Sequence, residues 1–155
     1  MNIQMEPIGQ VTNEVAYGRK DVHWEEIVSV IDLSPQWAEG LDGIEEFSHI
    51  IVVFYLDRTR DGRSLRLKTH PMGRPELPEV GIFATRTPFR PNGIGVTTVK
   101  LLRRKSNTLT VEGLDAYDGT PVLDIKPYLP WGDLVSDATV ATWTQQLWQM
   151  LDKTS

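Results

Sequence analysis

The chain has 155 residues, enough for one sizeable core rather than two, and its 40% hydrophobic and 24% charged residues exclude a disordered or collagen-like polymer. It contains no cysteine, which excludes disulfide frameworks, thiolate metal sites and cysteine nucleophiles. The net charge of −5 hides a polarised chain: residues 58–74 hold six Lys/Arg against Asp61 alone and residues 81–111 hold six more with no acid, leaving −16 elsewhere. An anionic partner would therefore meet the middle of the chain, unless these charges only coat the outer faces of strands and loops. The longest apolar run, Ile50 to Leu56, is far below the roughly 18 residues of a membrane-crossing helix. With no basic-then-apolar leader at the amino terminus, a cytoplasmic protein without a membrane partner is expected.

In chain order the pattern reads mostly as strand. Residues 26–33 are a β-branched run after a turn-like start. Ser34-Pro35 has the cap-then-proline order of a helix start and predicts a short helix through about Leu41, which Gly40 and Gly43 stop. Residues 48–56 are nearly continuously apolar, as in a strand covered on both faces. Residues 65–70 alternate strictly and predict one buried and one basic face. Three more strands are predicted over 80–84, 95–102 and 108–114, with Pro, Gly and Asn clusters between them. A second helix starting near Ser136 or Asp137 puts Val140, Trp143, Leu147 and Leu151 on one stripe, which Trp148 and Met150 widen enough for contact with a second copy. The expected class is mainly β: a single closed or partly open β-barrel of about six to seven strands, with a short helix near 35–41 and a C-terminal amphipathic helix. A sandwich has similar strand spacing. Residues 1–135 would form the barrel domain and residues 136–155 a helix packed on the barrel or on a dimer partner.

Common catalytic fingerprints are missing. Gly93-Ile94-Gly95 lacks a third glycine and leads into a β-branched run rather than a helix, and no Walker lysine pattern exists, so a Rossmann-type or P-loop enzyme is not expected. The three histidines, His23, His49 and His70, lack the close spacing of a zinc helix, and no serine occupies a Gly-x-Ser-x-Gly elbow. No metal is expected.

Two segments are unlike routine scaffold. In the run from Gly81 to Gly95, one turn carries Arg86, Pro88, Phe89, Arg90, Pro91 and Asn92. Prolines stiffen the backbone and guanidinium forks suit carboxylate or phosphate, so the turn reads as an anion clamp, or as a strand connection whose arginines bind local carbonyls. In the run from Leu114 to Pro130, Asp115, Asp118 and Asp124 surround an Asp-Gly turn, and Asp124 and Lys126 alternate to one side of an extended segment. These carboxylates read as proton acceptors or as turn caps and ion-pair partners, and chemistry alone leaves that choice open.

Phe83-Ala84-Thr85-Arg86, Arg90-Pro91-Asn92, Ile94-Gly95 and the run from Asp118-Gly119-Thr120-Pro121 to Pro130 resemble the signature of the TsaA-like (YaeB, TrmO) family. Ile8-Gly9, Leu41-Asp42-Gly43-Ile44-Glu45-Glu46-Phe47-Ser48-His49 and His70-Pro71-Met72-Gly73-Arg74 extend the resemblance, in order, over about residues 7–131. The resemblance implies an S-adenosylmethionine-binding β-barrel, usually dimeric, whose members methylate N6 of threonylcarbamoyladenosine beside the anticodon of certain tRNAs. It implies cofactor contacts from Arg86, from Val96, and from the backbone of Leu114, Asp115, Ala116 and Tyr117. Asp57-Arg58 stands where the family often has His-Gln, Gly18-Arg19-Lys20 where it has Pro-Arg-Gln, and Gly93 where proline is common, which predicts a looser loop.

For the tRNA anticodon loop, the candidate contacts are Arg90, Asn92, Lys126, Tyr128 and Arg74. Arg66 and Lys68 are further phosphate ligands, and Phe89 or Tyr128 is a stacking platform. Asp115, Asp118 and Asp124 are the candidate bases. Bacterial members that act on tRNA generally carry an extra C-terminal domain, so cofactor binding is the firmer expectation here and tRNA specificity the open one. The alternatives are a non-catalytic S-adenosylmethionine-binding regulatory module and a methyltransferase acting on a small molecule.

Overall fold

The computed structural model describes residues 1–59, 62 and 64–152. Its strands are β1 (Gly9–Thr12), β2 (Val28–Leu33), β3 (His49–Tyr55), β4 (Lys68–Thr69), β5 (Val80–Gly81), β6 (Ile94–Lys105), β7 (Thr108–Glu112) and β8 (Pro121–Pro127). Two helices follow, α1 (Pro130–Asp133) and α2 (Thr142–Asp152). Six strands close into a barrel in the order β1-β2-β7-β6-β3-β8, every neighbour antiparallel, and β4 and β5 form a separate ribbon. Closure removes the open sheet edges that would otherwise expose unpaired backbone.

Alternation along each strand fills the interior. Ile50, Val52 and Phe54 of β3 meet Val99 of β6, Leu109 and Val111 of β7, Ile31 of β2 and Val122 of β8 in one cluster. Each such side chain stabilises the fold by about 1.5–3 kcal/mol relative to exposure. Gly95 is required by this packing: a Cβ there would overlap the Phe54 ring across the β3–β6 pair. One end of the barrel is covered by two 3₁₀ turns, Pro35–Leu41 and Ile44–Glu46, whose Leu41 and Ile44 pack on the core. Arg104 near the end of β6 fastens that cover, donating to the Ala38 carbonyl at 3.0 Å and to Asp42 at 2.8 Å, with Glu45 at 3.5 Å. The hydrogen bond to Asp42, then the attraction of the two carboxylates, raises the Arg104 pKa further above its ordinary value.

The closed barrel matches the expected class, and several elements differ in detail. The 35–41 segment is a 3₁₀ turn, and Ser34 makes no side-chain cap. Strand β2 begins at Val28 because residues 24–26 form another 3₁₀ turn. The run 48–56 is fully buried on alternate residues only, the outward-facing Ile51, Val53 and Tyr55 of β3 being half-buried. The alternating run 65–70 yields only Lys68–Thr69: Leu65 and Leu67 remain exposed because the ribbon has no sheet behind it. Residues 80–84 give two strand residues and then a 3₁₀ turn. Strand β6 runs on to Lys105 through a bulge, and β7 stops at Glu112 where Gly113 turns at φ +93°. Helix α2 starts at Thr142, since Val135 to Ala138 form a turn, so Val140 precedes it and Leu147 alone of the stripe is buried. The basic residues Arg60 and Arg63, with Asp61, and the last three residues of the expected 136–155 helix lie outside the described residues. Among the described residues no helix is long and apolar enough to cross a membrane, and no group of three or more metal-ligating side chains gathers.

Candidate functional site

The barrel end opposite the Arg104 cover collects most of the candidate residues. The pairings Thr12↔Val30, Val28↔Glu112 and Tyr55↔Ile94 bring the ends of β1, β3 and β7 and the starts of β2, β6 and β8 to this side. Asp57 and Arg58 follow β3, Arg86, Arg90 and Asn92 precede β6, Val96 lies near its start, and residues 114–118 link β7 to β8. Cross-links tie these connections together. Leu56 N donates to Gly93 O at 2.7 Å, Thr97 Oγ1 to Asp115 Oδ1 at 2.5 Å, and Arg58 Nη2 to Asp118 O at 2.9 Å. Tyr17 OH donates to Arg58 O at 2.9 Å.

The 114–118 segment is held from the amino-terminal side. Leu114 and Ala116 bury their side chains, which leaves their backbone along the barrel rim. Asn13, half-buried, donates from Nδ2 to Ala116 O at 2.8 Å and to Ser29 Oγ at 2.9 Å, while its Oδ1 accepts Val15 N. Asp118 Oδ1 accepts Asn13 N at 3.0 Å, so Asp118 caps this turn. Tyr117 stands edge-on to Tyr17 and Trp24, with centroids 5.3 Å away in each case. No hydrogen bond among the described residues engages the amides of Leu114, Asp115 or Ala116.

The paired arginines of the turn divide in role. Arg90 Nη1 donates to the carbonyls of Ile82, Thr85 and Thr87 at 3.3, 2.9 and 3.2 Å, and its guanidinium lies 5.8 Å from the Phe83 ring centroid. It staples the turn, as the local-carbonyl alternative predicted. Arg86 is exposed and has no hydrogen-bond or ion-pair partner among the described residues. Gly93 is buried against the Leu56 carbonyl, where an added Cβ would come within 3.0 Å, so the loop is held closely at that position.

The aspartates also divide. Asp124 and Lys126 project together from the outer side of β8 and form an ion pair at 2.8 Å, whose hydrogen bond raises the Lys126 pKa. Asp118 accepts a backbone amide and serves as a turn cap, whereas Asp115, exposed, accepts only the Thr97 hydroxyl among the described residues and holds no turn. Tyr128 lies at the opposite end, 6.5 Å from His49, and Arg74 pairs with Glu76 at 3.4 Å beside α2. The structure thus brings Asp57, Arg58 and 114–118 to the end where β6 begins, close after Asn92 and before Val96, keeps Arg86 exposed on the turn that leads there, and leaves Lys126, Asp124, Tyr128 and Arg74 elsewhere. Val96 faces outward from the barrel wall and is exposed.

Sequence reasoning missed Asn13, Thr97 and Tyr17. Asn13 carried a local signal, an asparagine able to bond the amide two residues on, which marks a turn. The partners of Thr97 and Tyr17 come from distant parts of the chain and left none. A cleft of about 860 Å³ opens beside the arginine turn, against the ribbon, with Phe89, Arg90, Leu65, Arg66 and Thr69 among its walls. A depression of about 320 Å³ at the far end, around Gly9 and Asp32, is remote from these groups.

Among the described residues, exposed Arg86 without a partner, the open amides at 114–116 and the exposed carboxylate of Asp115 are groups available to a ligand. A family model described as the tRNA-methyltransferase O N-terminal domain matches residues 11–134. The chain belongs to this family. It is 43% identical over 114 residues to the S-adenosyl-L-methionine-binding protein of Archaeoglobus fulgidus, covering 73% of this chain and 78% of that one. It is 39% identical over 129 residues to a Pyrococcus abyssi protein named "Probable S-adenosyl-L-methionine-binding protein", covering 83% of this chain and 67% of the relative. The crystal structure of TrmO from Pseudomonas aeruginosa superposes with a TM-score of 0.72 at 31% identity, covering 92% of this chain and 63% of that one. The chain therefore spans less than two thirds of the crystallised family member.

Proposed function

We propose that the protein transfers a methyl group from S-adenosylmethionine to N6 of threonylcarbamoyladenosine beside the anticodon of tRNA, acting as a homodimer in the cytoplasm. The reading is supported by the match to the TrmO N-terminal family and by the 114–118 segment, which Arg58 and Thr97 tie to the barrel end where the strand after the arginine turn begins. Arg86 binds the donor's carboxylate, the rim amides of 114–117 bind its polar edges, and Val96, Asp57 and Arg58 border it. Exposed Ile94 and Val96 on the outer wall are the face offered to a second copy.

When bound, S-adenosylmethionine supplies an electrophilic methyl group on a positively charged sulfur. The chain's part is alignment: displacement at carbon needs the incoming nitrogen opposite the departing sulfur, with water excluded. N6 already bears a carbamoyl group and is a weaker base than a free amine, so its lone pair becomes available as its proton leaves. Asp115 receives that proton on the oxygen that Thr97 does not occupy, while Thr97 fixes the carboxylate's orientation.

The test is incubation of the purified chain with S-adenosylmethionine and tRNA bearing threonylcarbamoyladenosine, followed by mass spectrometry of digested nucleosides. The expected result is a 14-dalton gain on that nucleoside with wild type and about 100-fold slower transfer by Asp115→Asn. Donor binding with no transfer to any RNA would contradict the proposal and favour a regulatory module.

A further inference from the structure

We infer that the cleft between the arginine turn and the β4–β5 ribbon seats an unpaired nucleotide of the RNA, separately from the methyl donor, an assignment that rests on the RNA-methylation reading above. Its volume of about 860 Å³ falls within the range of about 300–1,000 Å³ typical of sites that enclose a small ligand. Its described walls combine the three things a splayed nucleotide needs. Phe89, half-exposed, and Leu65 offer apolar surface for a base; Thr69 and Thr87 offer hydroxyls for its edge; Arg66 offers a guanidinium for the phosphate. Arg66 and Arg90 are the charged side chains among the described lining residues.

The base platform is held in place by the chain itself. Thr85 Oγ1 donates to Ile82 O at 2.9 Å and accepts Thr87 N at 3.3 Å, and Thr87 Oγ1 accepts Phe89 N at 3.4 Å. Arg90 Nη1 clamps the carbonyls of the same residues. Arg90 is thus a positioning residue that presents Phe89, whereas Arg66, exposed and without a partner among the described residues, is free to meet an anion. Arg86, Val96, Asp115 and the 114–117 backbone do not line the cleft, which separates it from the rim assigned to the donor. A recess of this size admits one extruded base and excludes a duplex, whose bases are stacked away from side chains.

The experiment measures binding of a labelled single-stranded anticodon-loop RNA, with the same sequence annealed to its complement as competitor and calorimetry of S-adenosylmethionine in parallel. Phe89→Leu, which keeps the apolar volume, and Arg66→Ala are compared with wild type, and Phe89→Trp serves as the rescue. The expected results are about 10-fold weaker RNA binding for Phe89→Leu, restoration by Phe89→Trp, and a salt slope lower by about one for Arg66→Ala. Donor affinity stays unchanged and the duplex competes poorly. Variants that lose the donor and keep the RNA would overturn the assignment and make the cleft a donor site. Equal competition by the duplex would overturn it too. A wild-type chain that binds donor but no RNA would overturn the methylation reading together with the inference.

Discussion

The two ends of the barrel are closed by different chemistry. At one end a single cation, Arg104, gathers the Ala38 carbonyl, Asp42 and Glu45, and Leu41 and Ile44 plug the opening with apolar surface. At the other, long connections are stitched side chain to backbone by Asn13, Arg58, Tyr17 and Asp118, and the groups left over, Arg86, Asp115 and the 114–116 amides, face outward. One end satisfies its polar groups internally. The other holds some in reserve, which is what a ligand site requires.

Substitutions sharpen or break this contrast. The largest effect is expected at the shared core: Gly95→Ala drives a methyl into the Phe54 ring and destabilises the fold by about 1–3 kcal/mol, read from urea denaturation midpoints. Next, Asn13→Ala leaves Ser29 and the Ala116 carbonyl without their partner. It costs about 1–3 kcal/mol or, if the loop relaxes instead, loosens the rim so that donor affinity falls more than melting temperature does. Arg104→Met at the plugged end lowers the melting temperature and leaves donor affinity at wild-type level; a loss of donor binding there would erase the distinction between the ends.

The smallest effect is expected from Lys126→Met on the outer wall, where the pair with Asp124 is exposed and screened. Its sign with pH is fixed: the folded-state Lys126 pKa lies above 10.5, so the pair's contribution is complete at neutral pH and is lost only as pH rises through the raised value. At pH 7 the wild type should exceed Lys126→Met by no more than a small margin, and that margin should vanish as pH rises through the raised Lys126 value. A clear gap at pH 7 would show that the outer wall is more than a solvated face.

Much of the barrel was legible because burial there follows the strand's own period, as in β3, β6 and β7. The ribbon misled for the opposite reason. Leu65 and Leu67 alternate with Arg66 and Lys68 as in a half-buried strand, yet alternation cannot reveal that no layer lies behind it. Strand β1 was invisible because four residues, one of them glycine, carry too little pattern, although they close the barrel against β8. At the site, residue type identified the arginine turn and the aspartate segment but could not divide labour within them. Arg90 and Arg86 look alike in sequence. Only the three carbonyls around Arg90 separate the staple from the free cation. Likewise, Asp118 and Asp124 differ from Asp115 by partners 105 and 2 residues away.

The most direct test of the account is calorimetric titration of S-adenosylmethionine into wild type and Arg86→Ala. If the open barrel rim grips the donor through that unpaired guanidinium, the variant binds at least about 10-fold more weakly while melting at the same temperature. Equal affinity in the two proteins would contradict the account.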